Sequence, residues 1–243
     1  MNNILTELTS DKIELPGDYR YERKFFVTGL NHNEIITIIK QHPAIFHHVF
    51  YKRNVNNVYF DTADFLSYID NVEGVINRQK VRIRWYGDLF GIIKNPELEV
   101  KYKKGFLGLK ERHKLPDFSL NLHERFDFKC IFEALLNNKS FDLYKLNLNA
   151  LTPSLLNSYE RTYFLSNDKK YRITIDNKLQ FYSINPIRDF FKTYCDEEKT
   201  IIELKYDQNF EDGARKITEH FPFRLTKSSK YVIGVDRVKN WKR

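Results

Sequence analysis

Basic side chains occupy every second position of the segment 78–84, the spacing that places residues on one face of a β-strand. These residues are Arg78, Lys80, Arg82 and Arg84. The opposite face would carry Val81, Ile83 and Trp85. Neighbouring cations at this spacing repel one another unless interleaved carboxylates or a bound anion offset the repulsion. The chemistry that such a face suits is the binding of a polyanion.

Four further segments also combine an apolar face with a charged face. Their polar and charged positions are Arg20, Glu22 and Lys24; Glu97, Glu99, Lys101 and Lys103; Arg172, Thr174 and Asp176; and Glu203, Lys205 and Asp207. Arg23 is the exception, because it falls on the apolar side of the first segment. Carboxylates placed among cations could also serve a divalent metal, which prefers hard oxygen ligands.

Two arrangements of these strands fit the alternation equally well. In the first, an antiparallel sheet rests its apolar face on the core and exposes its charged face to water. In the second, the sheet closes into a barrel, with the charged faces inside and the apolar faces covered by helices.

The composition bounds the class of protein. The chain has 243 residues, 42% of them hydrophobic and 15% aromatic, and a formal net charge of +8. It can therefore bury a sizeable core, and its positive charge predicts an anionic partner. No apolar run approaches the roughly 20 residues of a membrane-spanning helix. The two cysteines, Cys130 and Cys195, exclude a disulfide framework and favour a cytoplasmic location.

The elements that must position the charged residues are mostly short strands, and no linker or repeat divides residues 1–243, which we expect to form a single domain. The predicted strands are Tyr19–Thr28, Asn54–Asp61, Arg78–Gly87, Glu97–Lys103, Glu160–Ser166, Tyr171–Leu179 and Thr200–Asp207. The predicted helices are Asn33–His42, Asp127–Asn137 and Phe210–His220. Strands that alternate with helices in this way indicate an α+β fold built on an antiparallel sheet or barrel.

A series of short motifs resembles one known family. In order, they are Glu22-Arg23-Lys24, Asn57-Val58-Tyr59-Phe60-Asp61-Thr62, RQKVRIRWYG at 78–87, Glu99-Val100-Lys101, Lys110-Glu111-Arg112, Tyr159-Glu160-Arg161, Arg172-Ile173-Thr174-Ile175-Asp176, Glu203-Leu204-Lys205 and Lys227-Ser228-Ser229-Lys230. Together they resemble the VTC domain, the catalytic domain of the vacuolar transporter chaperone polyphosphate polymerase, within the triphosphate tunnel metalloenzymes or CYTH superfamily. The resemblance runs from about residue 19 to about residue 238.

The resemblance implies a closed antiparallel β-barrel that forms a tunnel, with helices packed on the outside. It also implies transfer of the γ-phosphoryl group of ATP to polyphosphate, with Mn²⁺ or Mg²⁺ as cofactor. The implied catalytic cations are Lys24, Arg82, Arg84, Lys101, Arg161 and Arg172. The implied substrate-binding residues are Lys205, Lys227, Ser229 and Lys230, and the implied metal ligand is Glu203.

Two other functions remain open at this point. A hydrolase of triphosphates or polyphosphate would share the fold, and a non-catalytic module could bind polyphosphate through charge alone. Superfamily hydrolases often begin with an ExExK signature, whereas Arg20 stands at its first acidic position, which favours the polymerase. Neither a nucleic-acid partner nor a membrane span is expected.

Other clusters are interpreted without a functional role. His42, His47 and His48 surround Pro43, and a surface turn is the favoured interpretation over a metal site. Glu22 and Glu99 are expected to neutralise adjacent cations more than to bind metal.

Overall fold

The computed structural model describes residues 20–104, 107–121, 150–184, 191–196 and 199–239. The strands are β1 Arg20–Val27, β2 His47–Asp61, β3 Asn77–Tyr86, β4 Gly91–Ile93, β5 Glu97–Lys104, β6 Leu107–Lys114, β7 Phe118–Leu120, β8 Thr152–Leu165, β9 Tyr171–Ile184, β10 Phe191–Asp196 and β11 Thr200–Asp207. The α-helices in these ranges are α1 His32–Lys40, α2 Leu66–Glu73, α3 Glu211–Glu219 and α4 Lys230–Lys239. None of these helices is long and apolar enough to cross a membrane.

Nine strands form one antiparallel sheet, in the order β1-β11-β9-β8-β2-β3-β5-β6, with β10 paired to β9. Strands β4 and β7 form a separate pair. All seven predicted strands are present, and Thr200–Asp207 matches β11 residue for residue. The predictions missed β4, β6, β7, β10 and α2, while the predicted helix Asp127–Asn137 lies outside the described residues.

The predicted closure of the sheet into a barrel is wrong. Within the described residues, β1 and β6 end the order of strands and do not pair with each other. The free edge of β1 instead meets the segment before α4, where Phe25 forms a bridge with Leu225 and the Thr226 amide donates to the Lys24 carbonyl over 2.8 Å. Because this segment occupies the edge of β1, those backbone groups are not available to another strand.

The open sheet is nevertheless strongly curved. Lys101 of β5 and Glu22 of β1 belong to strands six places apart in the sheet, yet their charged atoms lie 3.7 Å apart. We call the side of the sheet that carries these residues the inner face. The charged sides of the strands therefore face one another across a concave space. This agrees with the inward-facing charges of the barrel arrangement, although the sheet is not closed.

Helices α1 and α3 cover the outer, apolar face of one half of the sheet. Ile35 and Ile39 of α1 and Ile217 of α3 pack in one cluster with Ile173 and Ile202 of the sheet. A capping box fixes the start of α1: the Asn31 side chain accepts from the amide of Glu34, whose carboxylate accepts from the amide of Asn31.

Helix α4 packs instead against the inner face, together with residues of β2, β8 and β9. Its approach is close at Gly234, where a Cβ atom would lie 2.4 Å from Cδ2 of Leu155 and 2.6 Å from Cδ1 of Phe181. Only glycine fits at that distance. Gly234 therefore lets α4 lie close to the sheet, and its first residue, Lys230, is buried among the charged side chains.

Candidate functional site

Four carboxylates of the inner face form ion pairs with a larger set of basic groups. The carboxylates are Glu22, Glu99, Asp176 and Glu203. The nine basic partners are Lys24, Arg82, Arg84, Lys101, Lys110, Arg112, Arg161, Lys205 and Lys230. We call these thirteen residues the charged network. Its formal charge is strongly positive, because the cations outnumber the carboxylates by more than two to one.

Two glutamates on neighbouring strands share two lysines. Lys24 lies 3.5 Å from Glu22 and 3.8 Å from Glu203, while Lys205 lies 3.8 Å and 3.1 Å from the same two carboxylates. Burial and the Glu203 charge raise the pKa of Glu22, but Lys24, Lys101 and Lys205 outweigh them and lower it to about 2. Burial likewise raises the pKa of Glu203, and the surrounding cations bring it well below its ordinary value. Both carboxylates are therefore ionised at neutral pH.

Asp176 is fully buried at the centre of β9 and holds two cations. Its carboxylate accepts two hydrogen bonds from Arg161, over 2.5 and 2.6 Å, and pairs with Lys230 at 2.5 Å. Burial raises the pKa of Asp176, but these two cations produce a net decrease. Burial lowers the pKa of Lys230, and Asp176 and Glu203 raise it overall, so the lysine remains charged.

Glu99 of β5 organises the other half of the network. Its nearest partners are Arg82, at 2.5 Å, and Lys110, also at 2.5 Å, with Arg84 at 3.6 Å. Burial raises the pKa of Glu99, but these cations lower it far more. Contacts with this many cations agree with the neutralising role expected for Glu99.

Two lysines of the inner face are electrostatically frustrated. Burial lowers the pKa of Lys110 to about 7, in spite of its ion pair with Glu99. Burial, followed by repulsion from Arg82 and Lys24, lowers the pKa of Lys80 well below its ordinary value. A bound anion would relieve both, because it would offset repulsion among cations that the four carboxylates leave uncompensated.

Tyr159 joins the two halves of the network. Its hydroxyl accepts a hydrogen bond from Arg84 over 3.4 Å, and its ring lies 5.3 Å from the Arg161 guanidinium and 4.9 Å from the Lys230 ammonium. The sequence-based residue set omitted Tyr159, although its position two residues before Arg161 on one strand places both on the same face.

Three buried hydroxyl groups in the segment just before α4 have no hydrogen-bond partner within the part of the chain that the structure describes. They belong to Thr226, Ser228 and Ser229. The segment is held to β1 through Lys24, whose ammonium reaches the Ser228 carbonyl over 3.5 Å. Free hydroxyls beside Lys230 and the start of a helix are donors suited to an anion.

The structure brings together most of the residues that the sequence singled out. The members of the charged network among them are Lys24, Arg82, Arg84, Lys101, Arg161, Glu203, Lys205 and Lys230. Arg172 is exposed opposite Lys205 in the β9–β11 register, and Lys227 is exposed within electrostatic range of Lys103. Ser229 lies in the segment before α4. The additional members of this site are Glu22, Glu99, Lys110, Arg112, Tyr159 and Asp176.

One histidine lies elsewhere than expected. The surface turn predicted around His42 is wrong for this residue, which is buried: its Nε2 lies 3.0 Å from the Ile217 carbonyl, and its Nδ1 accepts from the Ala44 amide over 2.9 Å. Aromatic contacts with Phe46 and Phe221 complete its packing between α1 and α3. In the described ranges, no cluster of three or more His, Cys, Asp or Glu side chains could hold a metal ion.

Comparisons with known proteins identify one family and solved structures of similar fold. A sequence model of one family, the VTC domain, matches residues 19–239. No curated protein matches the chain. Among solved structures, the PH1819 protein from Pyrococcus horikoshii OT3 has 14% identity and a TM-score of 0.51, over 90% of this chain and 99% of that one. A "putative adenylate cyclase" from Bacillus halodurans has 14% identity and a TM-score of 0.50, over 86% and 92% of the two chains. At these identities the likeness concerns the fold alone.

Proposed function

Because the chain belongs to the VTC domain family, we propose that it is a polyphosphate polymerase, which transfers the γ-phosphoryl group of ATP to a growing polyphosphate chain. The observation that carries the proposal is the excess of nine basic groups over four carboxylates in the charged network. A triphosphate or polyphosphate supplies the missing negative charge. Arginine holds phosphate oxygens with paired hydrogen bonds, and lysine acts as a compact point charge.

The reaction needs positioning and charge more than proton transfer. A terminal oxygen of the polyphosphate chain attacks the γ-phosphorus, and a new P–O–P linkage forms. The bond between the γ-phosphorus and the β–γ bridging oxygen breaks, and ADP leaves with the electron pair on that oxygen. The attacking oxygen is already ionised, so no general base is required, and fixed cations stabilise the charge that spreads over the equatorial oxygens.

The residues divide this work between the two halves of the network. Arg82 and Arg84 are proposed to hold one group of phosphate oxygens, because both pair with Glu99. Arg161 and Lys230 are proposed to hold another, because both pair with Asp176 and lie beside the Tyr159 ring. The hydroxyl of Ser229 is proposed to donate to phosphate, which would satisfy a donor that has no hydrogen-bond partner among the described residues. Lys227 and Arg172 would act at the exposed margin of the site.

The donor set fits a divalent cation that arrives with its phosphates. Glu203 and Glu22 are ionised and share Lys24 and Lys205, so they lie on one side of the network. Mg²⁺ or Mn²⁺ takes hard oxygen ligands and can obtain the remainder from water and substrate. Glu203, with Glu22 beside it, would hold such an ion, which would supply additional positive charge to the phosphate oxygens. The chain's own cations bind and orient the substrate in either case.

The proposal is tested with purified protein, ATP and Mn²⁺. We expect ADP together with long polyphosphate, separated on a gel and destroyed by an exopolyphosphatase. Release of free phosphate in the same amount as ADP, without polymer, would identify a hydrolase of the same fold. Metal-independent binding without ADP release would identify a non-catalytic polyphosphate-binding module.

A further inference from the structure

Three aromatic rings surround an exposed arginine next to the charged network. We propose that this group, Phe50, Arg53, Tyr86 and Tyr163, is an aromatic patch that binds the base of the nucleotide whose phosphates occupy the network. The inference rests on the proposed function, which it deepens by assigning a separate subsite to the nucleoside.

The geometry of the patch is compact. The Arg53 guanidinium carbon lies 5.2 Å from the ring centre of Phe50, 5.8 Å from that of Tyr86 and 5.7 Å from that of Tyr163. Phe50 and Tyr163 meet edge to face, with ring centres 5.5 Å apart. Phe50 is 49% exposed and Tyr86 is 46% exposed, so both rings are accessible to a ligand.

A bulge in β2 is what gathers these side chains. Phe50 pairs with Tyr163 and Arg53 with Arg161, so three steps along β2 correspond to two steps along β8. In a regular strand, residues three apart would face opposite sides. The extra residue of the bulge places Phe50 and Arg53 on the same side, where the inner face continues.

The patch continues two strands of the charged network by one inner-face position each. Tyr86 follows Arg84 by two residues on β3, and Tyr163 follows Arg161 by two residues on β8. Two residues of a strand span about 7 Å, which a ribose bridges between an α-phosphate and a base. Arg161 of the network and Arg53 of the patch both act electrostatically on the Tyr163 hydroxyl, so Tyr163 is a patch residue that adjoins the network.

The chemistry of the patch suits a nucleobase. Aromatic rings and guanidinium planes stack on the flat faces of bases, and this stacking tolerates every base because each has a π-face. An inorganic polyphosphate has no π-face, so it cannot stack on the aromatic rings. The patch should therefore distinguish a nucleotide from a bare triphosphate without distinguishing one base from another.

The test compares ATP with inorganic tripolyphosphate, which carries three phosphates and no nucleoside. Isothermal titration calorimetry gives the Kd of each ligand for the wild type and for the double variant Phe50→Ala, Tyr86→Ala. We expect the Kd for ATP to increase by about tenfold or more, as loss of base stacking does elsewhere, while the Kd for tripolyphosphate stays within about twofold. The variant Phe50→Trp, Tyr86→Trp should retain the wild-type preference.

Tyr51→Ala is the matched control, because Tyr51 is 93% exposed on the same strand and outside the patch. An unchanged Kd for ATP in the double alanine variant, or an equal loss for both ligands, would overturn the inference. If only the inference about the patch is wrong, the protein still binds tripolyphosphate and still synthesises polymer. If the wild type bound neither ligand, the proposed function and the inference would both fail.

Discussion

The ammonium group of Lys230 lies 2.5 Å from the carboxylate of Asp176. Lys230 begins α4, and Asp176 occupies the middle of β9, so this ion pair fixes the end of a helix to the inner face of the sheet. Asp176 also holds Arg161 through two hydrogen bonds. One fully buried carboxylate thereby sets the positions of two cations proposed to bind phosphate.

Removal of that carboxylate charge should cost stability. Asp176→Asn would leave Arg161 and Lys230 buried without their nearest counter-charge, and breaking a buried pair in this way costs about 3 kcal/mol or more. We expect a loss of that size in the free energy of unfolding, measured by urea titration. Glu160→Gln is the control: Glu160 also pairs with two basic groups, Lys52 and Lys178, but both lysines are exposed, so the expected loss is below about 1 kcal/mol. Equal losses in the two variants would contradict the role given to burial.

Glu203→Gln should separate turnover from binding. The amide keeps the size of the side chain but removes its charge, so the proposed metal ligand is lost while Lys24, Lys205 and Lys230 remain. We expect polyphosphate synthesis with Mn²⁺ to fall by about 100-fold, the scale on which loss of one electrostatic group affects turnover. Tripolyphosphate binding measured in EDTA should be as tight as in the wild type or tighter. Wild-type turnover in the variant would show that Glu203 does not serve the metal.

The charged side of the site could be predicted from local alternation. A strand has a period of two residues whatever surrounds it, so the alternation alone predicts that Arg82, Arg84 and Glu203 lie on the charged faces of their strands. The same local rule located Thr200–Asp207 as a strand. Tyr159 follows the same rule, but its side chain is neutral, so a search for charged positions does not single it out.

The features that sequence did not predict depend on distant contacts. Closure of the barrel fails because Leu225 meets Phe25, a pairing that joins positions 200 residues apart. His42 is buried because α3 brings the Ile217 carbonyl and Phe221 against it. The residues around Pro43 do not predict these contacts, because the partners are distant in sequence. The bulge in β2 that brings Phe50 and Arg53 to the same face interrupts the two-residue period, so alternation cannot predict the aromatic patch.

Gly234→Ala should destabilise the protein, against the usual effect of this substitution within a helix. Alanine is the better helix former by about 1 kcal/mol, but here its Cβ would meet Leu155 and Phe181 at 2.4 and 2.6 Å. Overpacking of this kind typically costs about 1–3 kcal/mol. We expect a lower free energy of unfolding and, because α4 carries Lys230, weaker tripolyphosphate binding. Lys216→Ala, at an exposed position of α3, should change neither quantity; a stabilised Gly234 variant would contradict the close packing of α4.

Lys110 should make phosphate binding dependent on pH. Glu99, Arg82 and Arg84 act on it, Lys101 lies opposite it on β5, and burial brings its pKa from an ordinary 10.5 to about 7. In the free protein, this lysine therefore loses its proton as the pH rises through 7. A bound anion favours the ammonium form and raises its pKa, so binding takes up a proton and weakens at higher pH.

The lowered pKa of Lys110 also makes the free energy of unfolding depend on pH. The unfolded chain keeps the proton up to about pH 10.5, whereas folded Lys110 has lost it, so the contribution of this group to stability increases with pH across the window from 7 to 10.5. The binding prediction is tested with the variant Lys110→Arg, whose guanidinium stays charged. We expect the Kd for tripolyphosphate to increase more steeply between pH 7 and pH 9 in the wild type than in this variant. Titration calorimetry in two buffers of different ionisation enthalpy should show proton uptake at pH 8 that the arginine variant lacks. Identical pH profiles for the two proteins would exclude Lys110 as the titrating group, since every other residue of the site is the same in both.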